Sequence, residues 1–202
     1  SARTTMFPLC VAAVAAVLGR AGDTEDVVMS TTLSGRERPE LDGLVGMFSG
    51  VARIRMDLAG DPSFETILDR AREVVWGMLD HSDIPFLRIR RAVLPDFPTS
   101  PLEVAAAVPV ELGYFRVAHD ERVPGAGVVL RPADELFTRG QLHPLSFTLL
   151  DDGARLSGEV SFKPAYYEAS TVAGLATGLP ALLEAVTADP TVPLSELPLG
   201  IE

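Results

Sequence analysis

From Ala52 to Leu58 the chain alternates: Ala52, Ile54, Met56 and Leu58 are apolar, and Arg53, Arg55 and Asp57 between them are charged. A period of two is that of a strand with one buried face. The period then changes. Phe64, Ile67, Leu68, Ala71, Val74, Val75, Met78 and Leu79 fall at i, i+3, i+4 spacing, which predicts an amphipathic helix of about five turns. Between the two, Gly60 turns the chain, Asp61 is placed to cap the helix and Pro62 fits its first turn. Each apolar side chain on that helix would contribute about 1.5–3 kcal/mol if fully buried, before entropy is subtracted. The helix therefore needs a sheet to lie on.

The rest of the chain supplies one. Leu9, Val11, Val14, Val17 and Leu18 predict a well-buried helix, capped at Thr4 or Thr5, reaching Arg20 and ended by Gly22. Asp26–Leu33 reads as a strand, carrying β-branched Val27, Val28, Thr31 and Thr32. Ser34-Gly35-Arg36 turns the chain, and Pro39–Leu41 starts a short helical turn. His81–Phe86 predicts a tight turn into a short helix over Phe86–Arg91, and Pro95–Pro101 a proline-punctuated loop. Val104–Val110 reads as a strand, with Pro109 marking an edge or its end. His119–Leu142 is rich in Gly and Pro and without pattern, which predicts a long loop or arm. Leu145–Leu149 and Leu156–Phe162 alternate on either side of Asp151-Asp152-Gly153, a hairpin signal. Ser170–Val186 is a last amphipathic helix, which Pro180 should kink or break. Asp189-Pro190 ends it, and Pro190–Ile201 reads as an extended linker. Helices interleaved with strands give the α/β class: a mixed sheet with packed helices.

Composition narrows the function. A net charge of -11 with a single lysine, Lys163, argues against a nucleic-acid surface. Arg88, Arg90 and Arg91 form a local basic patch that reads as a solvated helix end. Cys10 is the only cysteine, so no disulfide forms within the chain, which suits a reducing cytoplasm. The apolar run Met6–Leu18, interrupted by Pro8 and closed by Arg20, is too short for a membrane span and reads as a core helix. Reactive groups are sparse. His81, His119 and His143 make no metal-spaced pair, and there is no phosphate-binding glycine loop and no nucleophile elbow. His81-Ser82-Asp83 holds three catalytic residue types, but adjacency in sequence is not triad geometry. The favoured reading has Ser82 or Asp83 capping the turn and His81 packed or hydrogen-bonded; no metal site and no catalytic residue is assigned.

Four stretches in order carry a family resemblance. Ser34–Leu41, then Val45-Gly46-Met47-Phe48-Ser49-Gly50 with Arg55 downstream, resembles a block of nonribosomal peptide synthetase condensation domains. That block has an Asn-Arg turn, then Ile/Leu-Gly-x-Phe-Val-Asn-Thr and an Arg. His81–Phe86 is similar to the family's His-Gln-Asp-x-Pro-Phe motif. Asp96 through Pro101-Leu102 is similar to the motif ending Ser-Arg-Asn-Pro-Leu, and the hairpin, last helix and Ala188–Ser195 resemble the way these domains finish before an adenylation domain.

The resemblance implies one lobe of a chloramphenicol acetyltransferase-like pair, incomplete at its start. In such domains substrates enter a tunnel between the lobes as thioesters on the phosphopantetheine arms of carrier domains, and the acceptor amine attacks the donor thioester. The histidine credited with the chemistry sits in a His-His-x-x-x-Asp-Gly motif of the first lobe, which is absent from these residues. The expected partners are that N-terminal lobe, carrier domains and an adenylation domain; phosphopantetheine is presented by the carriers and no cofactor is bound directly. Residues 1–189 correspond to the C-terminal part of a condensation domain and 190–202 to a linker. The residues implied at the tunnel or its motifs are Arg36, Gly46, Phe48, Ser49, Gly50, Arg55, His81, Asp83, Pro85, Phe86 and Ser100.

Several of these depart from the family pattern. Gly35, Gly50 and Ser100 stand where Asn is usual, and Ser82 and Leu87 where Gln and Glu are usual. The chain has no Asn, and Gln141 is its only Gln. An amide side chain both donates and accepts, and glycine does neither. The glycines at 46 and 50 fit either a ligand-facing role or a tight helix-to-strand junction. The expectation is one wall of a channel with no proton-handling group of its own, inactive alone. The alternatives are a non-catalytic docking platform for adenylation or carrier domains, or a related acyltransferase using coenzyme A. A half-fold would also expose a face suited to homo-oligomerisation.

Overall fold

A computed structural model describes residues 5–36, 38–93, 100, 105, 107–117, 121–123, 128–130 and 142–198. The expected loop at Pro95–Pro101 falls outside these residues except at Ser100, as do His119 and Gln141.

Helix α1 (Met6–Ala21) is the centre of the core. Its residues from Cys10 to Val17 are all buried, on every side. Four of them are alanine, whose small side chains let neighbouring elements approach closely. Thr5 sits at the N-cap position without a side-chain cap bond, and Gly22 closes the helix. Strand β1 (Asp26–Leu33) comes next and pairs antiparallel with β2 (Gly50–Asp57) along its full length. Helix α2 (Phe64–Asp80) packs against α1 and β2, burying Phe64, Ile67, Leu68, Ala71 and Val75. Its cap is Ser63, whose Oγ accepts from the Thr66 N–H, and not Asp61.

Strand β3 (Val110–Arg116) pairs parallel with β1 and with β6 (Leu145–Asp151), and β7 (Leu156–Phe162) closes the sheet. The order is β2-β1-β3-β6-β7, a mixed five-stranded sheet. The strand expected over Val104–Val110 therefore lies further on. Ala105 and Ala107 are helical, and Pro109 ends that segment, its carbonyl taking the Leu145 N–H. The stretch expected to be a patternless arm contains a small antiparallel ribbon, β4 (Glu121–Val123) with β5 (Val128–Leu130). The predicted hairpin turns at Gly153, whose φ of +86° suits glycine, with Asp151 and Asp152 carboxylates accepting from the turn amides.

Helix α4 (Ala169–Ala188) runs unbroken through Pro180 and packs on α1 and β7. It is long and apolar enough to cross a membrane, yet its stripe Val172, Leu175, Leu179, Leu182 and Val186 joins the core. The segment after α4 is docked over its first half and is no free linker there. Leu194 and Leu197 are buried in the same core, and backbone bonds join Pro190 and Val192 to the start of α2.

The sheet has two unlike faces. Ile54, Met56, Met29, Leu112, Leu145 and Phe147 are all buried beneath the helices. On the other face one register row crosses all five strands as Arg53, Ser30, Glu111, Ser146 and Ser161, every member polar. Helix α3 (Phe86–Val93) packs on this second face, beside β2.

Candidate functional site

The junction before β2 is held by Arg36. Its guanidinium donates to the carbonyls of Leu41, Leu44 (3.0 Å) and Gly46 (3.2 Å) and lies 4.5 Å from the centre of the Phe48 ring. One planar fork thus closes the loop from Pro39 to Phe48 and sets Phe48 in place. Gly35, at φ +66°, lies so close to Phe48 that a Cβ would meet the Phe48 carbonyl oxygen at 1.9 Å. The loop and the turn at Gly35 are therefore built against each other.

Beyond Phe48 opens a cavity of about 670 Å³. Its walls come from the end of β1, the start of β2, the end of α2, the turn into α3, and Leu142-His143. Most of the lining is apolar, including Leu33, Val51, Met78, Ile84 and Leu87. Of the residues expected at a tunnel, Phe48, Gly50, His81, Pro85 and Phe86 line it. Arg36, Gly46, Ser49, Arg55, Asp83 and Ser100 do not. Arg36 works inside the loop instead. Arg55 makes a bidentate pair with Asp26 at 2.8 and 2.9 Å on the exposed surface, and this pairing holds the Asp26 carboxyl below its usual range. Asp83 is exposed, and its neighbour Ser82 faces the cavity in its place.

Two histidines border the space. His81 closes α2, its Nδ1–H donating to the Gly77 carbonyl at 2.8 Å. His143 is buried, its Nδ1–H donating to the Val108 carbonyl at 2.9 Å. Each imidazole thereby has Nε2 left as the acceptor when neutral. His81 and His143 thus both line the cavity, each with Nδ1 committed to a backbone carbonyl.

Arg53 is the residue that the motifs did not single out. It shares the odd-numbered face of β2 with Arg55, but stands in the middle of that edge strand opposite Ser30, whereas Arg55 stands opposite Val28 near the strand's end. Its guanidinium lies 4.3 Å from the centre of the Phe86 ring, and its Nη1 donates to Ser30 Oγ and to the Ala52 carbonyl. Burial pushes the Arg53 pKa down, and Glu111 nearby partly restores it. The register row through Arg53 is the signal that could have found it, and that row needs the pairing of strands distant in sequence. Arg90, read as part of a solvated basic patch, is buried.

Elsewhere the titratable groups are structural. Cys10 is buried and its thiol is pushed up to about 12, by burial first and by Asp151 second. Among the described residues no three His, Cys, Asp or Glu side chains are grouped to hold a metal ion.

The described residues thus form a mixed five-stranded sheet with α1, α2 and α4 beneath one face and the lined cavity beside α3 at the edge of the other. A model of the Condensation domain family matches residues 1–200. The chain belongs to the condensation domain family. It is 28% identical over 195 residues to chondramide synthase cmdD of Chondromyces crocatus, covering 96% of this chain and 5% of that protein. Among solved structures, the X-domain from teicoplanin biosynthesis matches with a TM-score of 0.76 and 27% identity, over 96% of this chain and 44% of that one. The same X-domain in complex with OxyB matches with a TM-score of 0.75. The first condensation domain of the CDA synthetase shares the fold, with a TM-score of 0.71 and 19% identity, over 97% of this chain and 42% of that one. The chain thus spans less than half of these solved chains and a small fraction of the synthetase.

Proposed function

We propose that this chain is the C-terminal lobe of a condensation domain and supplies one wall of the space in which carrier-bound thioesters are joined through an amide bond. The observation that carries this reading is the cavity itself. Phe48 and Gly50 come from one family-like stretch and His81, Pro85 and Phe86 from another, over thirty residues on, yet all five border one space. The chemistry needs an acceptor amine held close to a donor thioester, with a group to manage the amine proton. In this reading the cavity shelters one acyl or aminoacyl group in an apolar setting. The proton-handling group comes from a His-His-x-x-x-Asp-Gly segment of another lobe, since these residues have no such motif. Phosphopantetheine arms deliver both thioesters from carrier domains. Coexpression with a first lobe bearing that motif is expected to give amide product from carrier-loaded substrates, and the chain alone none. A folded pair without product would overturn the reading.

A second reading has its own support. The X-domain that this chain resembles at 27% identity is solved in complex with OxyB. By that likeness the lobe is a docking platform that makes no bond. Capture of an adenylation or carrier domain by a chain that stays inactive after pairing would favour it. Product formation would dismiss it.

A further inference from the structure

Arg53 brings a charge to a space whose lining is otherwise largely apolar. Arg53 is half-buried, and a guanidinium taken partly out of water is normally paired, because desolvating a cation without compensation is costly. Here Nη1 is engaged by Ser30 and Ala52, while Nε is buried and has no hydrogen-bond partner among the described residues. Nη2 has none either, and no carboxylate among the described residues pairs with the group. Glu111 lies in the same register row, two strands away, but takes its hydrogen bond from Ser146 Oγ at 3.2 Å. The Phe86 ring supports the planar face. A cation held from behind and short of acceptors, on the wall of a cavity, is half of a recognition pair.

We propose that Arg53 makes this cavity selective for an acyl or aminoacyl group that ends in a carboxylate, the apolar body lying along Val51, Met78, Ile84 and Leu87 and the carboxylate against the guanidinium edge. The inference rests on the reading of the cavity as an acyl site and adds its specificity. Net charge does not oppose it: the chain's -11 is spread over the surface and screened within about 8 Å at physiological salt, whereas Arg53 acts at contact. A planar fork also suits a carboxylate better than a point charge does.

The test uses the 202-residue chain and two matched probes, N-octanoylglycine and its neutral glycinamide, in calorimetric titrations at pH 7. The carboxylate is expected to bind at least about ten-fold more tightly, as suits a charge-assisted pair at a partly desolvated group. In Arg53→Gln that preference should vanish while the amide's affinity stays within about two-fold, which also shows that the cavity is intact. Should the Gln variant fail to fold, Arg53→Lys serves: it keeps the charge, loses the fork, and should retain a preference reduced about three-fold or more. Equal binding of the two probes to the parent chain would overturn the role of Arg53 and leave the cavity an acyl site. A preference unchanged in both variants would overturn it too. Binding of neither probe would overturn the acyl-site reading itself, and the inference with it.

Discussion

Ser195 donates both its backbone N–H and its hydroxyl to the carboxylate of Asp61, each at 2.8 Å, across 134 residues of chain. Among the described residues Asp61 is one of two non-glycine residues at positive φ, near +50°, so the turn before α2 is shaped to present that carboxylate. Around this clasp, Arg20 reaches the Leu194 carbonyl at 2.6 Å, and the Leu194 N–H bonds the Pro62 carbonyl. The residues after α4 are thus bound to the first and second helices. Leu194→Ala and Leu197→Ala should each cost about 2–5 kcal/mol, as buried leucines do. Ser195→Ala, on an exposed clasp, should cost about 0.5–1.5 kcal/mol. Urea unfolding of the three variants checks the order. A chain ended at Asp189 that unfolds at the parent midpoint would show that the clasp contributes nothing.

Arg36 is expected to act on the loop and not on a ligand. Replacing it with Lys keeps the charge but cannot reach three carbonyls and a ring at once. Arg36→Lys should therefore destabilise the chain by about 1–2 kcal/mol, the loss of hydrogen bonds from a charged donor. It should also speed amide exchange at Leu41, Asp42 and Leu44, whose N–H groups are bonded within this loop. Exchange rates unchanged there would mean that the fork is incidental.

Tyr114 links the core to pH. Its hydroxyl donates to Asp151, and burial, with that bond second, pushes the phenol from 10.0 up to about 12. A group whose folded pKa is raised gives stability that is complete below the unfolded value and is lost as pH rises through the folded one. Between pH 10 and about 12 the parent chain should therefore lose stability with increasing pH. Tyr114→Phe should flatten that slope without abolishing it, because Tyr167 is also raised by burial. At the acid end the sign reverses. The bond from Tyr114 is the first cause that holds Asp151 below its usual range, so its contribution is present above that range and fades as pH falls through the folded value. Urea midpoints taken across both limbs for the parent and the Phe variant test the two signs together.

The regular elements are legible where one period holds. The alternation from Ala52 to Leu58, the 3.6-residue spacing after Phe64 and the hairpin at Gly153 all reappear in the fold. Strand β3 lies later than expected: the alanines at 105 and 107 favour and adopt helix, while Val110–Arg116 carries the β-favouring Val110, Tyr114 and Phe115 despite Gly113 and its charges. Its pairing with β1 and β6 then fixes its place in the sheet. Local pattern does not reveal such pairing, and the same limit hides the site. Motif spacing brings out Phe48, Gly50, His81, Pro85 and Phe86, but Arg53 and His143 enter only through register and packing. The tail after α4 has the composition of a linker because prolines space its apolar residues, yet its two buried leucines and the clasp to Asp61 dock it.

The two glycines that replace the family's usual Asn should respond oppositely to substitution. At Gly35 the φ of +66° already disfavours a side chain, and a Cβ would lie 1.9 Å from the Phe48 oxygen and 2.8 Å from its carbonyl carbon. Both are backbone atoms, so no rotamer change relieves the clash. Gly35→Ala should cost about 1–3 kcal/mol, the scale of a strained backbone position, and should displace Phe48 from the cavity wall. At Gly50 a Cβ would meet nothing within 4 Å, and φ is not in the left-handed region. Gly50→Asn should therefore change stability by no more than about 0.5 kcal/mol while placing an amide on the cavity wall. Urea unfolding separates the two costs. Amide chemical shifts of Val51, Ala52 and Phe86 separate the two mechanisms, since Gly35→Ala should move them through Phe48 and Gly50→Asn only near the new side chain. A neutral Gly35→Ala would mean that the loop yields freely, and that Phe48 is not a fixed part of the wall.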